Sequence, residues 1–357
     1  MKIGIDTQTT LGQKTGFGFY VSNLVEELKA IGSHQYLLFA PDSEHDFSAP
    51  QRLTWDQFGL PSRARAAKVD ILHQPAFSAP VFYPGKVVVT VHDLIAIFFG
   101  EEIPFFSRQY FSRWMPFSYR FADHIIAISE NTKRDIIKIL GFPEEKITVI
   151  YEAASTSYRP VRDRGAISRL QAKYNTGSDY LLHIGTLNPR KNLAFLIDVF
   201  AKLIEKGSTL NLVIAGKPGW YYEGLFTQVQ RLGLSGRVKF IGYVPESDKA
   251  TLLSGASAFV FPSRYEGFGL PVLEAMACGC PVVAADVSSI REVVGESGIL
   301  LPLDDNAAWV QALRSLDRSG LRVKLRTAGL KQAQKFSWRK AASETIKVYE
   351  RVFNDGA

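Results

Sequence analysis

Short apolar runs alternate along the chain with longer stretches in which apolar residues recur at the spacing of an amphipathic helix. Continuous apolar runs of this length are typical of strands buried on both faces of a parallel sheet that helices cover. The predicted strands are Lys2–Ile5, Tyr36–Phe39, Ile71–His73, Lys86–Val91, Ile125–Ile128, Ile147–Ile150, Tyr180–Ile184, Asn211–Ala215, Val238–Ile241, Ala258–Phe261, Pro281–Ala284 and Gly298–Leu301. Strands and helices that alternate in this way predict right-handed βαβ units, and therefore an α/β fold.

One interruption, between Ser155 and Asp179, separates the predicted strands into two series of six. Pro160, a charged run at residues 162–164 and Gly177 break the periodicity there, which indicates a linker between domains. The length of 357 residues is also that of two domains. We therefore expect two doubly wound domains that face each other across a cleft, with ligands at the carboxyl ends of the strands near that cleft.

The composition narrows the class of protein. With 46% apolar and 22% charged residues, the chain is typical of a globular protein, which excludes intrinsic disorder, collagen-like repeats and a coiled coil. The net charge of +7 suits anionic ligands or an anionic membrane surface, but the basic residues are not clustered as nucleic-acid binding requires. Cys278 and Cys280 lie too close together for an ordinary structural disulfide, so a reducing compartment is expected. The histidine and cysteine spacings are not those of a metal site, and we expect no metal.

The stretch from Ser263 to Val283 reads SRYEGFGLPVLEAMACGCPVV and carries the clearest candidate chemistry. Its glycines permit a tight turn, and Pro271 stands where the first residue of a helix is expected. A glycine-rich loop that enters a helix presents free N–H groups to a phosphate. Glu274, in the first turn of that helix, is suited to accept two hydrogen bonds from a ribose diol, and Glu266 is placed to meet the group that the phosphate carries. The alternative is a surface turn followed by an amphipathic helix.

A second candidate is GTLNPRKN, residues 185–192, which directly follows a predicted strand. Arg190 offers a bidentate guanidinium and Lys191 a compact ammonium, and together they suit a diphosphate. Asn192 is expected to cap the helix that follows, Leu193–Glu205. The alternative is a solvated basic turn.

Glu266 and Glu274, separated by seven residues within EGFGLPVLEAMACGCPVV, resemble the signature of the retaining GT-B glycosyltransferases, the group 1 family also called family 4. Within this family, the sequence of residues 185–192 most resembles the corresponding motif of the bacterial mannosyltransferases. The resemblance implies transfer from a nucleotide-sugar donor with retention at the anomeric carbon, without a metal or another cofactor. It also implies that Arg190 and Lys191 neutralise the departing diphosphate, that Glu266 orients the donor sugar and that Glu274 holds the ribose.

The same resemblance implies two Rossmann-like domains. Residues 1–160 form the acceptor-side domain, to which a terminal helix of residues 338–357 crosses back, and residues 175–337 form the donor-binding domain. The residues expected to hold the nucleotide are Gly16, Gly18, Gly267, Phe268, Gly269, Leu270 and Glu274.

Two further motifs follow predicted strands of the first half. In GQKTGFGFY, residues 12–20, Gly16 and Gly18 match a family loop that closes over the donor phosphates, but a purely structural turn has the same pattern. The fingerprint GxGxxG is incomplete after Gly18, which disfavours a dinucleotide site. His92, in the sequence VHDL, corresponds to a family histidine near the donor sugar that acts through its ring or its backbone. The alternative is a structural pair in which Asp93 fixes the ring or caps the next segment.

The segment from Leu94 to Phe121 is unusually aromatic. Its rings are those of Phe98, Phe99, Phe105, Phe106, Tyr110, Phe111, Trp114, Phe117, Tyr119 and Phe121. Interleaved arginines are typical of a membrane interface, where the segment would receive a lipid-linked acceptor, and core packing is the alternative. The N-terminus reads as a strand and not as a signal peptide, and no apolar run approaches the ~18 residues of a membrane span. We therefore expect a cytoplasmic protein, in peripheral contact with the inner face of an anionic membrane if the interface interpretation holds.

The sequence thus predicts a retaining hexosyltransferase of cell-surface polysaccharide synthesis. It would move a hexose, with mannose from GDP-mannose as the best match, to a hydroxyl of a glycan or a lipid-linked glycan. UDP-hexose and deoxysugar donors stay open, because the sequence does not fix the geometry of the base-binding loops. The motifs hold no obvious covalent nucleophile, so a front-face substitution in which the leaving phosphate helps to deprotonate the acceptor is expected. The alternatives are a nucleotide-sugar-binding protein without transferase activity and a related epimerase or phosphorylase.

Overall fold

Two six-stranded parallel sheets organise the chain. The computed structural model describes residues 1–12, 16–43, 45, 47–102, 105–316 and 320–355. Two compact units result, Met1–Ala153 with Ser337–Ala357 (unit 1) and Ala154–Phe336 (unit 2). The predicted strands are confirmed to within one residue at each end, and most of the valine- and isoleucine-rich runs are buried within the sheets.

The strand order of each sheet creates one switch point. The strands of unit 1 are β1 (Lys2–Asp6), β2 (Gln35–Phe39), β3 (Ile71–Gln74), β4 (Lys86–Val91), β5 (His124–Ala127) and β6 (Ile147–Val149), in the order β2–β1–β3–β4–β5–β6. Those of unit 2 are β7 (Tyr180–Ile184), β8 (Asn211–Ala215), β9 (Val238–Gly242), β10 (Ala258–Phe261), β11 (Val282–Ala285) and β12 (Ile299–Leu301), in the order β9–β8–β7–β10–β11–β12. The order reverses between β1 and β3 in unit 1 and between β7 and β10 in unit 2. Doubly wound sheets bind ligands at such points, outside the carboxyl ends of the strands.

Helices follow most of the strands. In unit 1 they are α1 (Gly16–Ile31), α2 (Ala49–Thr54), α3 (Leu60–Ala67), α4 (Ile95–Phe98), α5 (Phe105–Gln109), α6 (Met115–Ser118) and α7 (Glu130–Asp135). π-helical turns at Trp55–Gly59, Tyr110–Trp114 and Ile136–Leu140 continue α2, α5 and α7. In unit 2 they are α8 (Arg164–Tyr174), α9 (Leu193–Glu205), α10 (Glu223–Arg231), α11 (Glu246–Gly255), α12 (Leu270–Ala277), α13 (Ile290–Val294), α14 (Asn306–Ser315) and α15 (Leu321–Ala333). The last helix, α16 (Trp338–Asn354), belongs to unit 1.

Helix α16 packs against α1 within unit 1. The rings of Trp338 and Tyr20 meet edge to face with their centroids 5.5 Å apart. Farther along the helix, the Tyr349 hydroxyl lies 2.7 Å from His73 Nδ1. Buried aromatic and polar contacts therefore fix the C-terminal helix on the first sheet.

A helix stands where the sequence analysis expects a linker. Helix α8 begins after Asp163, whose side chain accepts hydrogen bonds from the Gly165 and Ala166 N–H groups and so caps the helix. None of its described residues is buried, and its apolar residues at helical spacing, Ile167, Leu170 and Tyr174, are only half-buried. The sequence analysis did not recognise this short stripe. Among the described residues, no helix combines the length and hydropathy that crossing a membrane requires.

Candidate functional site

The loops after β7 and β10 meet at the switch point of unit 2. The first loop closes in a short 3-10 turn, Pro189–Lys191, and Asn188 accepts a hydrogen bond from the Lys191 N–H at 3.3 Å. The second loop is joined to it by the Arg264 N–H, which donates to the Arg190 carbonyl at 2.9 Å. The two basic residues singled out by the sequence are therefore held at the carboxyl edge of the sheet.

Asn192 occupies the N-cap position of α9, as the sequence predicts. It has a left-handed backbone, with φ 57°, and its side chain makes no capping hydrogen bond. The capping function expected of its side chain is therefore absent in this structure.

Glu266 is the centre of this site. Its Oε1 accepts hydrogen bonds from Lys191 Nζ and from the Ser263 hydroxyl, both at 2.5 Å, and lies 2.7 Å from Arg190 Nη1. Arg190 also donates to the Tyr265 carbonyl. Glu266 is 8% exposed and Lys191 is 6% exposed, so this ion pair is largely removed from water.

The charges around Glu266 decide its ionisation. Burial alone would raise its pKa, but the charges of Arg190 and Lys191, with the hydrogen bonds from Lys191 and Ser263, outweigh burial and lower the pKa from 4.5 to about 2. The carboxylate is therefore ionised at neutral pH. Two cations face one anion, and the excess positive charge suits a further anion such as a phosphate.

Two serines that the sequence analysis did not single out fix the turn after Glu266. The Ser288 hydroxyl accepts a hydrogen bond from the Glu266 N–H at 2.9 Å. The Ser289 hydroxyl lies 2.9 Å from the Glu266 and Phe268 carbonyls, to which it donates. Gly269 adopts φ 102°, and a Cβ there would lie 2.6 Å from an isoleucine side chain, so this position requires glycine.

Helix α12 begins one residue earlier than expected. Gly269 is its N-cap, Leu270 its first residue and Pro271 its second. Glu274 is therefore the fifth helical residue, and its predicted place in the first turn is wrong. Gly267, like its neighbours in the turn, is buried.

Glu274 lies close to a buried tyrosine. The Tyr158 hydroxyl donates to Glu246 Oε2 at 2.7 Å, and Glu246 also forms an ion pair with Lys249. Burial, followed by the charge of Glu274 and the contact with Glu246, raises the pKa of Tyr158 well above its usual range. The phenol is therefore a permanent donor between two carboxylates. Tyr158 and Glu246 are 88 positions apart, which explains why the sequence analysis missed them.

His92 follows β4 in unit 1, and both of its ring nitrogens have partners there. Nε2 donates to the Pro75 carbonyl at 2.9 Å, and Nδ1 lies 3.1 Å from Glu152 Oε1. The rings of Phe17 and Tyr20 enclose the imidazole, each with a centroid distance of 4.7 Å. In this arrangement the ring makes structural hydrogen bonds, and its carboxylate partner is Glu152, which the sequence analysis did not identify.

The neighbours of His92 act as caps. Asp93 accepts a hydrogen bond from the Ile95 N–H at 2.9 Å. The Thr132 hydroxyl donates to the His92 carbonyl at 3.1 Å, and Ser129 caps α7 by accepting from the Thr132 N–H at 3.0 Å. Of the two functions considered for Asp93, the structure shows the capping one.

Gly16 and Gly18 lie in the first turn of α1. Gly18 is buried, and a Cβ on Gly16 would meet no atom of the described residues within 4 Å. Residues 13–15 of the same motif, Gln13, Lys14 and Thr15, lie outside the described residues.

His183 is a buried group of unit 2 that the sequence analysis missed. It lies at the end of β7, stacked on Phe261 with a centroid distance of 5.6 Å, and its Nδ1 donates to the Val260 carbonyl at 3.0 Å. Burial, followed by the charge of Lys191, lowers its pKa to about 4, so the ring is neutral. The signal was a single polar residue within an otherwise apolar buried strand. Within the described ranges, no three histidine, cysteine or acidic side chains converge to hold a metal ion.

The switch point of unit 1 holds a second buried cluster. Asp6, the last residue of β1, and Asp56 share the side-chain amide of Gln8, which donates to them at 2.6 and 2.8 Å. The hydroxyls of Ser78 and Tyr110 donate to the other oxygen of Asp56 at 2.6 and 2.7 Å. Burial, followed by the charge of Asp6, raises the pKa of Asp56 to about 7. These donors are all neutral, whereas Glu266 faces two cations, Arg190 and Lys191.

The aromatic segment divides between core and surface. Tyr110 and Tyr119 are buried, whereas Phe105 and Phe106 are 66% and 77% exposed and meet edge to face at 5.6 Å. Phe98, like the phenylalanines near the end of the segment, is about half-exposed. Core packing therefore accounts for Tyr110 and Tyr119, whereas Phe105 and Phe106 are exposed, and the membrane contact stays a prediction.

Two family models together match most of the chain. Residues 167–336 match glycosyl transferases group 1, and residues 15–158 match glycosyltransferase family 4. O-antigen chain mannosyltransferase B of Escherichia coli is 34% identical over 303 residues, which cover 84% of this chain and 77% of that protein. Phosphatidyl-myo-inositol mannosyltransferase of Mycobacterium leprae is 27% identical, with 100% of this chain and 98% of that protein covered.

The fold has close counterparts among solved structures. Sucrose-phosphate synthase from Thermosynechococcus elongatus superposes with a TM-score of 0.80 at 20% identity, with 99% of each chain covered. At this identity the likeness concerns the fold alone, and it confirms the predicted α/β, GT-B class. The chain therefore belongs to the group 1 glycosyltransferases, also called family 4.

Proposed function

We propose that this chain transfers mannose from GDP-mannose to a hydroxyl of a growing cell-surface polysaccharide or glycolipid, with retention at the anomeric carbon. The observation that carries the proposal is the cluster of Arg190, Lys191 and Glu266 at the switch point of unit 2, where a diphosphate would meet two cations. The names of the two mannosyltransferase relatives favour mannose as the sugar and a polysaccharide or glycolipid as the acceptor.

The chemistry follows from where charge develops. The bond between the anomeric carbon and the phosphate oxygen breaks while the acceptor oxygen forms its bond to the same face of the sugar. The acceptor proton passes to the leaving phosphate oxygen. Negative charge grows on that phosphate in the oxocarbenium-like transition state, so Arg190 and Lys191 bind the transition state more tightly than the intact donor.

Glu266 prepares these cations for the donor. Its carboxylate holds the ammonium and the guanidinium in place before a diphosphate binds, which reduces the reorganisation that the reaction requires. We propose that Glu266 also orients the donor sugar and that Glu274 holds the ribose. The turn of residues 267–270 would contact the phosphates. For His92, Gly16 and Gly18, the roles implied by the family remain predictions.

A panel of donors tests this function. The full-length chain is incubated with GDP-mannose, UDP-glucose or a deoxysugar nucleotide and a mannose-terminated oligosaccharide, and the anomeric proton of the product is followed by NMR. We expect turnover with GDP-mannose and an α-linked product. Turnover with a UDP-hexose alone would show that the donor is a UDP-sugar and not GDP-mannose. An inverted anomer in the product would exclude retention. Binding of GDP-mannose with neither transfer nor hydrolysis would indicate a nucleotide-sugar-binding protein.

We propose that the reaction needs no metal, because Arg190 and Lys191 supply the positive charge that the leaving diphosphate requires. Turnover should be unchanged after treatment with EDTA. Activity that is lost in EDTA and restored by Mg²⁺ or Mn²⁺ would overturn this part of the proposal.

We also propose that the exposed phenylalanines of the aromatic segment contact an anionic membrane. Phe105 and Phe106 project apolar rings, and Arg108 lies in the same helix, α5. Aromatic and basic side chains on one short helix suit the interface of an anionic bilayer. A membrane contact would bring the chain to a lipid-linked acceptor.

Vesicle sedimentation tests the membrane contact. We expect the chain to sediment with phosphatidylglycerol vesicles and to be released by salt, whereas the double variant F105S/F106S stays in solution. Val323→Ser is the matched control, because Val323 is 67% exposed in unit 2. Equal sedimentation of the double variant and the control would exclude this surface.

A further inference from the structure

Both ring nitrogens of His92 face groups that accept hydrogen bonds. Nε2 lies 2.9 Å from the Pro75 carbonyl oxygen, and Nδ1 lies 3.1 Å from Glu152 Oε1. A carbonyl oxygen has no proton to donate, so the bond at Nε2 requires a proton on that nitrogen. A second proton is then needed between Nδ1 and the carboxylate, because two lone pairs would otherwise face each other. The His92–Glu152 pair therefore holds one proton more than a neutral imidazole beside a carboxylate.

The surroundings of the ring decide where this proton lies. Imidazole is a stronger base than a carboxylate in water, and an opposite charge at hydrogen-bond distance favours the charged form of each partner. The rings of Phe17 and Tyr20, with centroids 4.7 Å from that of His92, are within the range at which aromatic rings attract a cation. The contacts thus favour an imidazolium beside an ionised Glu152, with both side chains buried.

The other titratable groups around His92 leave this assignment in place. Burial, followed by the charge of His92, lowers the pKa of His73 to about 3, so that ring is neutral. Burial raises the pKa of the Tyr20 phenol, which is neutral as well. Asp93, the next residue, accepts a hydrogen bond from the Ile95 N–H. Of these groups, Glu152 is the one whose carboxylate contacts the ring.

The pair lies at the carboxyl edge of the unit 1 sheet, where doubly wound domains bind ligands. His92 follows β4, and Glu152 comes three residues after the end of β6. His92 lines a cavity of about 50 Å³ together with Phe17, Phe111 and Met115. The imidazole ring is thus part of the wall of a cavity, although both of its nitrogens bind groups of the protein.

The backbone of His92 and the neighbouring glycine motif are fixed in the same place. The Thr132 hydroxyl donates to the His92 carbonyl at 3.1 Å. Phe17, whose ring contacts the imidazole, lies between Gly16 and Gly18 in the first turn of α1. A fixed positive charge beside this motif suits the phosphates that the motif is expected to meet.

We propose that Glu152 is a positioning residue of the transfer reaction, which holds His92 as an imidazolium, an inference that rests on the proposed function. Both N–H groups of the ring are used within the protein, so His92 neither takes the proton of the acceptor nor gives a proton to the leaving group. It supplies a fixed positive charge at the ligand edge of unit 1. This agrees with a reaction in which the leaving phosphate oxygen takes the acceptor proton.

Nitrogen NMR of the full chain, labelled with ¹⁵N in its histidine rings, tests the protonation state directly. The chain has six histidines, and His92 is identified by the signals that are lost in His92→Gln. At pH 7 we expect both ring nitrogens of His92 to give the signals of an imidazolium, whereas His73 and His183 give those of a neutral ring. In Glu152→Gln the His92 signals should change to those of a neutral ring, and in Glu152→Asp they should stay those of an imidazolium.

Steady-state kinetics with GDP-mannose test whether this charge contributes to the reaction. Glu152→Gln should lower kcat about tenfold, less than the loss of a group that touches the leaving phosphate, with little change in the KM of the donor. Glu152→Asp should restore most of this loss, because it keeps the charge. Glu145→Gln, which removes the charge of an exposed glutamate of unit 1, is the matched control and should turn over like the wild type.

The outcomes separate this inference from the proposed function. A neutral His92 ring in the wild type, or an imidazolium that persists in Glu152→Gln, overturns the inference. The wild-type spectrum decides the protonation state by itself, so the test does not depend on how well Glu152→Gln folds. A wild-type kcat in Glu152→Gln overturns the positioning role. A chain with the expected spectra that transfers no sugar from any donor of the panel overturns the proposed function and supports the assignment of the proton to His92.

Discussion

The switch points of the two sheets both hold buried carboxylates, but with different partners. In unit 2, Glu266 faces Arg190 and Lys191, which lower its pKa to about 2. In unit 1, Asp56 is fully buried, and burial together with the charge of Asp6 raises its pKa to about 7. The same position in the topology therefore holds an ion pair in one unit and a partly protonated acid in the other.

This difference shows that a buried carboxylate does not by itself identify a ligand site. Glu266 stays charged and leaves an excess of positive charge at the edge of the sheet, which favours an anionic ligand. Asp56 accepts hydrogen bonds from neutral donors and relieves its burial by protonation, as is typical of a group that connects structural elements. The partners decide which of the two buried acids belongs to the chemistry.

Removing one donor from each cluster gives the largest expected contrast. Lys191→Ala should lower kcat about 10²- to 10³-fold, because a preorganised donor to the leaving group is lost. Tyr110→Phe removes a neutral donor to Asp56 and should cost about 1 kcal/mol of unfolding free energy with little change in kcat. Initial rates with GDP-mannose and urea unfolding followed by circular dichroism measure the two effects.

Lys202→Ala is the control for Lys191→Ala, because Lys202 is an exposed lysine of α9, the helix that follows the basic turn. It should turn over like the wild type. A wild-type kcat in Lys191→Ala would contradict the proposal that Lys191 and its ion pair with Glu266 stabilise the leaving diphosphate.

The second contrast is the pH dependence of unit 1. Between pH 4 and 7 folded Asp56 binds a proton that the unfolded chain releases, so stability falls as the pH rises towards 7. At about 1.4 kcal/mol for each pH unit, the loss between pH 5 and 8 is on the order of 3 kcal/mol. Asp56→Asn should reduce this slope, measured by urea unfolding at several pH values, and part of it should stay because burial also raises the pKa of Asp6. An unchanged slope would mean that Asp56 does not hold the proton.

Unit 2 should respond to pH in the opposite direction. The pKa of Glu266 is lower in the folded chain than in the unfolded chain. Its contribution to the free energy of unfolding is therefore complete above pH 4.5 and is lost as the pH falls towards 2. Between pH 4.5 and 3 the loss is on the order of 2 kcal/mol. Hydrogen exchange in peptides around β10 reports unit 2 separately, and Glu266→Gln should remove the dependence. Equal acid sensitivity in wild type and variant would contradict the ion pair.

The sequence predicted the sheets and the basic turn because their signals are local. Continuous apolar runs identify strands buried on both faces, and adjacent cations such as Arg190 and Lys191 are visible at once. The position of Glu274 was predicted less well, because the left-handed backbone of Gly269 allows α12 to begin at Leu270.

Partners that are distant in the sequence could not be predicted. Glu152 reaches His92 across 60 positions, and Tyr158 reaches Glu246 across 88. A motif identifies one member of such a pair, but only the packing of the sheets brings in the other. The exposure of Phe105 could not be predicted for the same reason. An aromatic residue occurs both in cores and at surfaces, and its packing neighbours decide which of the two applies.

The smallest expected difference between the two units is in the stability that one buried histidine contributes to each. In unit 1, His73 has partners at both nitrogens, the Tyr349 hydroxyl at 2.7 Å and the Thr90 hydroxyl at 2.9 Å. In unit 2, His183 Nδ1 donates to the Val260 carbonyl, whereas its buried Nε2 has no hydrogen-bond partner among the residues that the structure describes. Burial lowers the pKa of His73 to about 3 and that of His183 to about 4, so both rings are neutral at pH 7.

Phenylalanine fills the volume of either ring but removes its hydrogen bonds. His73→Phe should cost about 2 kcal/mol, because two buried hydroxyls lose a partner, whereas His183→Phe should cost about 1 kcal/mol or less, because an unpaired nitrogen is removed together with one hydrogen bond. Urea unfolding at pH 7, where both folded rings are neutral, measures both values. A His183→Phe chain that is less stable than His73→Phe would show that Nε2 has a partner in solution, and Lys191, whose charge acts on this ring, would be the first to examine.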